Sequence, residues 1–435
     1  MSATHAPPPT PPPVRDPPTK PRNSGRPTGG GLGDVTPLWA VMLFTFLNSI
    51  GSGVSNAGIF FLAESKFGFG KEQLLGMGLL YGVTYIPAAM LVGPLLRRLP
   101  AGHRWASPRT MLGAVMVVMA ASCALPAVLP QGWTLWVFMA VYSVMAGMLW
   151  PVVESYVSGG RSAAGLRSAI GRFNVTWSSA LVVALFGMAP FIRSYPLGVL
   201  GVLAGVHVVG ALSLIAFAPR PGEHAHADHE PHPEVYTRLL AFVRVLLPTA
   251  FMFLAALAPY LPIARGKLGL AETFGPMLAA TWMSARVVTF FVLERWHGWH
   301  GRWTTPVAGV GCLLVGFAGS VLAPGLGGAG TLGVGFMLAG LATFGVGVGI
   351  IYCAALYYAM EVGGAEVDAG GTHEMLIGVG YTVGPLCGLI GVWTSQRASG
   401  GIEAAEHIML GLISLVGVAA TAVALARARS MAVRA

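Results

Sequence analysis

Apolar residues in this chain come in blocks of about twenty, the length an α-helix needs to cross the hydrocarbon core of a bilayer. Short polar joints separate them. The pattern predicts twelve helices, over residues 36–62, 74–96, 110–129, 133–157, 169–191, 196–218, 239–263, 273–293, 305–323, 331–359, 374–394 and 407–426. Six lie on each side of residue 229. Gly and Pro recur inside the blocks, where packed membrane helices tolerate them, so every block is read as a helix. The fold class expected is an all-α polytopic membrane protein.

The two sets of six share one plan. Residues 147–177, GMLWPVVESYVSGGRSAAGLRSAIGRFNVTW, return in altered form as residues 349–381, GIIYCAALYYAMEVGGAEVDAGGTHEMLIGVGY. Each copy is an apolar helix ending in aromatic residues and a carboxylate, then a small polar loop, then a charged entry into the next helix. Trp150 falls opposite Tyr352, Tyr156 opposite Tyr358, and Trp177 opposite Tyr381. Internal duplication of a membrane protein points to a transporter. The organisation expected is a tail over 1–35, a six-helix bundle over 36–218, a His-rich linker over 219–238, a second bundle over 239–427 and a short tail over 428–435.

Composition narrows this further. With 54% hydrophobic and 10% charged residues and a mean hydropathy of +0.68, the chain has too little polar surface for a soluble protein of 435 residues. Residues 1–35 are Pro- and Gly-rich and basic, with almost nothing to bury, and read as an extended tail. No short apolar core with a cleavage site precedes the first span, so no signal peptide is expected. With the amino terminus inside, the inner loops collect Arg97, Arg98, Arg104, Arg109, Arg161, Arg167 and Arg172 among others. The outer loops hold only Lys66, Lys71, Arg193, Arg265, Lys267 and Arg397. That bias places both termini in the cytoplasm and the chain in the cytoplasmic (inner) membrane. The formal charge of +9 reflects this topology and not a nucleic-acid footprint. Cys123, Cys312, Cys353 and Cys387 sit inside predicted spans without metal-type spacing, as small buried apolar residues.

Twelve helices in a six-plus-six repeat, with inside termini and a charged loop after the second helix, resemble the major facilitator superfamily over residues 36–427. The loop GPLLRRLPAGHR keeps Gly93 and Arg98 of the family's Gly-x-x-x-Asp-Arg-x-Gly-Arg-Arg signature. Arg97 stands at its aspartate position and Pro100 at its second glycine. The family's antiporter motif, Gly-x-x-x-Gly-Pro-x-x-Gly in helix 5, is absent from residues 169–191. A similar run, GYTVGPLCG, lies in helix 11 at Gly380, Gly384, Pro385 and Gly388, where small residues at four-residue spacing also serve helix packing. The resemblance implies alternating access, with two pseudo-symmetric six-helix bundles rocking about a substrate cavity near the bilayer midplane. It implies a secondary active transporter of a small organic solute such as a sugar, a drug-like amphiphile or a metabolite, working as a monomer in the bilayer. No motif for covalent or hydrolytic chemistry and no phosphate-cradling loop is present, so neither an enzyme nor a cofactor is expected. Protons are the candidate coupling ion.

Charges at membrane depth are costly enough that each is a functional candidate. Glu154 ends the fourth helix, Arg172 opens the fifth, Glu361 closes the tenth and Glu374 opens the eleventh, which makes them gate or coupling candidates. Arg286, the deepest, suits an anionic substrate or a carboxylate partner. Asn48, Ser52 and Asn56 recur at four-residue spacing on the first helix and so share a face. Tyr81 and Tyr85 on the second helix, Trp177 on the fifth, Trp282 on the eighth, Tyr352 on the tenth and Tyr381 on the eleventh add aromatic surface. Together they suit a cavity for a moderately polar organic solute, with plain interhelical packing as the other reading. Superposing the halves sets Arg97 opposite Glu294 and Arg172 opposite Glu374. In the family the loop after helix 2 lies against helix 11 and the loop after helix 8 against helix 5. The resemblance therefore implies two gate pairs, Arg97 or Arg98 with Glu374, and Glu294 with Arg172, each formed only when the inner gate is shut.

Two rival functions stay open. His224, His226, His229 and His232 stand among carboxylates in the central linker and raise a divalent-metal exporter, although a disordered linker carries such a composition freely. The degenerate loop and the basic tail would also fit a non-transporting sensor on a transporter scaffold. No other metal site is expected.

Overall fold

Glycines, prolines and charged ends of the apolar blocks set where the helices start and stop. The computed structural model describes residues 35–98, 107–161, 163–222, 233–363, 367–398 and 402–433, and among the described residues there is no strand. The first span joins α1 (Leu38–Gly53), a π-helical turn (Val54–Gly58) and α2 (Ile59–Phe67). It ends at Gly68, whose φ of 64° is the left-handed conformation that glycine adopts without strain at a helix end. α3 (Lys71–Arg98), α4 (Pro108–Val128), α5 (Gly132–Ser158), α6 (Ala163–Met188) and α7 (Pro196–Ser213) complete the first six spans. α4 opens with a reciprocal cap: the Thr110 amide donates to the Ser107 hydroxyl at 3.2 Å, and the Ser107 amide donates to the Thr110 hydroxyl at 3.0 Å. The second six are α8 (Glu234–Lys267), α9 (Gly275–Arg295), α10 (Thr304–Gly327), α11 (Thr331–Gly363), α12 (Val367–Arg397) and α13 (Ile402–Val433). These give 12 helices long and apolar enough to cross a membrane.

Several helices outrun their apolar blocks. α8 begins at Glu234 and not at 239, α12 at Val367 and not at 374, and α13 continues to Val433. An apolar window closes where polarity rises, whereas the backbone hydrogen-bond ladder continues through polar turns. The π turn is a second departure. It falls in a run of small residues around Gly53, Ser55 and Gly58, where one wide turn meets little steric resistance.

Within the first six spans α1 packs on α6 and α7, α3 on α5, and α4 on α5 and α7. In the second six α8 packs on α11, α12 and α13, and α11 also packs on α9 and α10. The two sets meet mainly through α3 against α12 and α6 against α9. Exchanging the halves turns one of these contacts into the other. α8 is the most enclosed span, with 78% of its apolar window buried, against 22% for α13. α13 instead turns Leu415, Val418 and Val423 outward, where lipid replaces a protein core. The tail of residues 1–34 and the histidines 224, 226, 229 and 232 lie outside the described residues.

Candidate functional site

Where the halves meet, polar and aromatic side chains face one another across a cavity. It encloses about 660 Å³ of space free of protein atoms, part of it open to solvent. The first half contributes Ser52 and Asn56 from the first span, Tyr81 and Tyr85 from α3, Trp150 and Glu154 from α5, and Phe173, Trp177 and Leu181 from α6. The second half contributes Phe251 and Leu254 from α8, Trp282, Met283 and Arg286 from α9, Tyr352 from α11, and Glu374, Ile377 and Tyr381 from α12. Spans 1, 2, 4 and 5 thus face spans 7, 8, 10 and 11. Arg286 lies about 16 Å along α9 at helical rise, near the middle of that helix.

Among the described residues, hydrogen bonds cross between the halves at this level. Asn56 Nδ2 donates to Tyr381 Oη at 3.3 Å, Arg286 Nε donates to Ser178 Oγ at 3.0 Å, and the Tyr85 hydroxyl donates to Glu374 Oε2. Arg286 is 2% exposed, and its guanidinium carbon lies 4.4 Å from the ring centre of Trp177 and 4.9 Å from that of Trp282. Each such cation–π contact contributes about 0.5–2 kcal/mol. Together they offset part of the several kcal/mol that taking the charge out of water costs. Its Nη2 is buried without a hydrogen-bond partner. Tyr352 stands edge-on to Trp177 at 5.2 Å, and Tyr381 edge-on to Tyr81 at 5.5 Å and to Tyr85 at 5.9 Å. Glu154 and Glu374 lie close enough to feel each other's charge. Neither pairs with Arg286, since the ion pairs among the described residues lie elsewhere.

Several expected placements change. Asn48 does not line the cavity: its Nδ2 donates to Phe44 O in its own helix at 2.9 Å, and it faces Gly210 of α7. A four-residue step overshoots one helical turn by about 40°, so residues 48 and 56 diverge, and the π turn shifts the register again beyond Gly53. Glu374 is not at a helix mouth. Because α12 starts earlier than its apolar block, Glu374 sits about two turns inside, 5% exposed, and its partner is Tyr85 and not Arg97 or Arg98, which occupy the exposed last turn of α3. The second gate pair, expected only while the inner gate is shut, is likewise not made in this conformation. Glu294 rests against α6 at Gly171, where an added Cβ would come within 2.7 Å of its carboxylate, but the neighbouring Arg172 is exposed and makes no ion pair with it. Glu361 ends α11 beside Tyr357, away from the cavity wall.

Other wall residues escaped the sequence. Trp150 was visible as the repeat partner of Tyr352, but Phe173, Phe251 and Ile377 look like any core residue. Nothing marks Ser178 as the support of Arg286. Single cysteines in a background lacking Cys123, Cys312, Cys353 and Cys387 check the lining directly. Ser52→Cys and Asn56→Cys are expected to react with a small polar thiol reagent, whereas Asn48→Cys stays inert; equal inertness of all three would remove the first span from the wall.

A mid-depth cavity walled by matching spans from two sets of six helices is the arrangement of a membrane transporter. The chain belongs to the Major Facilitator Superfamily, whose family model matches residues 41–392. It is accordingly a secondary transporter and not an enzyme. Among solved structures it is similar to the nucleoside transporter NupG, at 11% identity and a TM-score of 0.63 over 88% of this chain and 98% of that one. It is also similar to the E. coli fucose:proton symporter FucP, at 14% identity and a TM-score of 0.55 over 92% of this chain and 99% of that one. A third is a bacterial homologue of the human drug peptide transporters, at 14% identity and a TM-score of 0.65 over 91% of this chain and 98% of that one. Identities this low establish the fold alone. A comparison with curated proteins finds no match.

Proposed function

We propose that this chain carries a small organic solute across the cytoplasmic membrane by alternating access, with both termini cytoplasmic, and that a proton moving through Glu374 drives the cycle. What supports this is the cavity: it lies between the halves, draws its walls from both, and has the mixed aromatic and polar lining of a site for a sugar, a drug-like amphiphile or a metabolite. Carriers of nucleosides, of fucose with a proton, and of drug peptides share the fold, which fits a small polar cargo. One chain holds both halves, so a monomer suffices.

Glu374 is suited to the coupling role by its place at the seam. Its carboxylate accepts the Tyr85 hydroxyl from the opposite half. A hydrogen bond to a charged acceptor is roughly twice as strong as one to a neutral acceptor. Protonating Glu374 therefore loosens the tie between α3 and α12, and losing the proton restores it, which links proton occupancy to separation of the halves.

Proteoliposomes with an imposed pH gradient and a panel of labelled solutes test both parts. Gradient-driven accumulation of one solute is expected, with Glu374→Gln losing accumulation while retaining exchange of solute for solute. Lack of saturable uptake for every solute would overturn the transport of an organic cargo. Accumulation that survives in Glu374→Gln would remove the proton role.

A further inference from the structure

Two ionisable groups in the cavity wall are each left without a partner, and they make no ion pair with each other. Arg286 is buried, spends its Nε on Ser178 and its faces on Trp177 and Trp282, and leaves Nη2 without a partner. An unpartnered guanidinium nitrogen in a low-dielectric wall gains most from an oxygen anion, because the desolvation cost has already been met in the empty site. Glu154 is the counterpart. It lines the same cavity and is partly exposed, and its carboxylate makes neither a hydrogen bond nor an ion pair, while its neighbour Glu374 is occupied by Tyr85.

The two poles do not neutralise each other. Neither makes an ion pair with the other, and Tyr352 shares the wall with both, its ring meeting Trp177 of the arginine cluster at 5.2 Å. Tyr352 also feels the charges of Arg286, Glu154 and Glu374 together. A solute with one charge would satisfy one pole and leave the other. A solute with two opposite charges, set farther apart than a contact ion pair, would satisfy both.

We infer that the cargo is a zwitterion whose anionic group, a carboxylate or its like, binds Arg286 and whose cationic group, an ammonium, binds Glu154, with several bonds between the two charges. This rests on the transport reading above and names the substrate class of the same cavity. It divides the carboxylates, with Glu154 reading the solute and Glu374 carrying the proton.

Binding, and not flux, tests it. Purified full-length protein is titrated calorimetrically with ω-aminocarboxylates of three to eight carbons, and with the alkanoate and the alkylamine of each length. One of the longer aminocarboxylates is expected to bind at least tenfold more tightly than both single-charge analogues of its length. Arg286→Gln is expected to weaken aminocarboxylate and alkanoate alike, while Glu154→Gln weakens the aminocarboxylate at least tenfold and leaves the alkanoate unchanged. Thermal unfolding of each variant, compared with the parent, separates loss of the site from loss of the fold. Where Arg286→Gln does not fold, the Glu154→Gln pattern and the parent series still decide. The inference is overturned if no aminocarboxylate binds better than its single-charge analogues, or if Glu154→Gln leaves that preference intact. A failed preference in a protein that still accumulates solute leaves transport standing, and a preserved preference without flux does the reverse.

Discussion

Gly384→Val is expected to lower the thermal stability of the purified protein more than any surface substitution, by about 3 kcal/mol or more, the upper end of overpacking costs. The cause is a crossing of two backbones. A Cβ at Gly384 would stand 2.2 Å from the carbonyl oxygen of Met252 and 2.9 Å from the amide of Ala256. One turn earlier, a Cβ at Gly380 would stand 2.5 Å from the carbonyl oxygen of Pro248. Side chains can rotate out of a clash, but these are main-chain atoms of α8, the most enclosed span, so α8 and α12 must separate along their length. Both helices carry cavity walls, Phe251 and Leu254 on one and Glu374, Ile377 and Tyr381 on the other. Separation therefore also moves Tyr381 away from Asn56. Gly411→Ala is the control, since a Cβ there meets nothing within 4 Å. Comparable unfolding temperatures for the two variants would show that α8 and α12 are not packed backbone to backbone.

This crossing explains the run GYTVGPLCG. Gly380 and Gly384 face α8, while Pro385 packs on Gly78 and Gly388 on Leu75, both of α3. The glycines here are packing devices on both sides of α12, and their spacing alone could not separate that from an antiporter signature. Twelve spans were legible because burying a helix in lipid demands an apolar block of fixed length, and nothing else in a sequence imitates it. The aromatic and amide groups of the cavity were legible for the converse reason: Ser52, Asn56, Tyr81, Tyr85 and Arg286 are costly where lipid or core would otherwise stand. Helix ends were not legible. The polar first turns of α12 hid how deep Glu374 lies and that Tyr85 is its partner in this conformation. The repeat itself has mixed meaning. Trp150 and Tyr352 both line the cavity, as do Trp177 and Tyr381. Tyr156 and Tyr358 instead tie down the segments that follow α7 and α9, one donating to Ala218 O at 3.0 Å and the other accepting from the Gly301 amide at 3.0 Å. Rotation about a helix axis depends on packing partners that are far away in sequence, so Asn48 could not be told from Ser52.

Replacing Glu406 with alanine, together with Glu64→Gln, is expected to open the end of the molecule that the Lys and Arg distribution assigns to the outside. The polar ties between the halves cluster there. Glu64 of α2 pairs with Arg265 of α8 at 2.8 Å, Ser65 donates to Glu272 at 2.8 Å, and Gln396 of α12 donates to Glu72 of α3 at 2.9 Å. The central piece is Glu406 on α13, which accepts Lys267 of α8 on both oxygens at 2.8 and 2.7 Å and lies 3.8 Å from Lys71 at the start of α3. One carboxylate thus holds two ammonium groups from opposite halves. Lys71 Nζ is buried without a hydrogen bond, so it depends on that carboxylate for charge balance. Removing Glu406 leaves Lys71 and Lys267 facing each other across the seam, near enough for mutual repulsion. The change therefore replaces an attraction by a force that parts the halves. A partly exposed pair contributes about 0.5–1 kcal/mol and a more enclosed one up to roughly 2 kcal/mol, so the two substitutions together shift the equilibrium by about 2–3 kcal/mol, or roughly 30- to 150-fold. Thiol labelling from outside measures it: Asn56→Cys is expected to react at least tenfold faster in the doubly substituted protein, and slower again when Glu64 and Arg265 are exchanged to restore their pair. High salt is expected to mimic part of the effect by screening the exposed pair. An unchanged labelling rate with Glu406 and Glu64 both neutralised would mean that these charges do not hold that end shut.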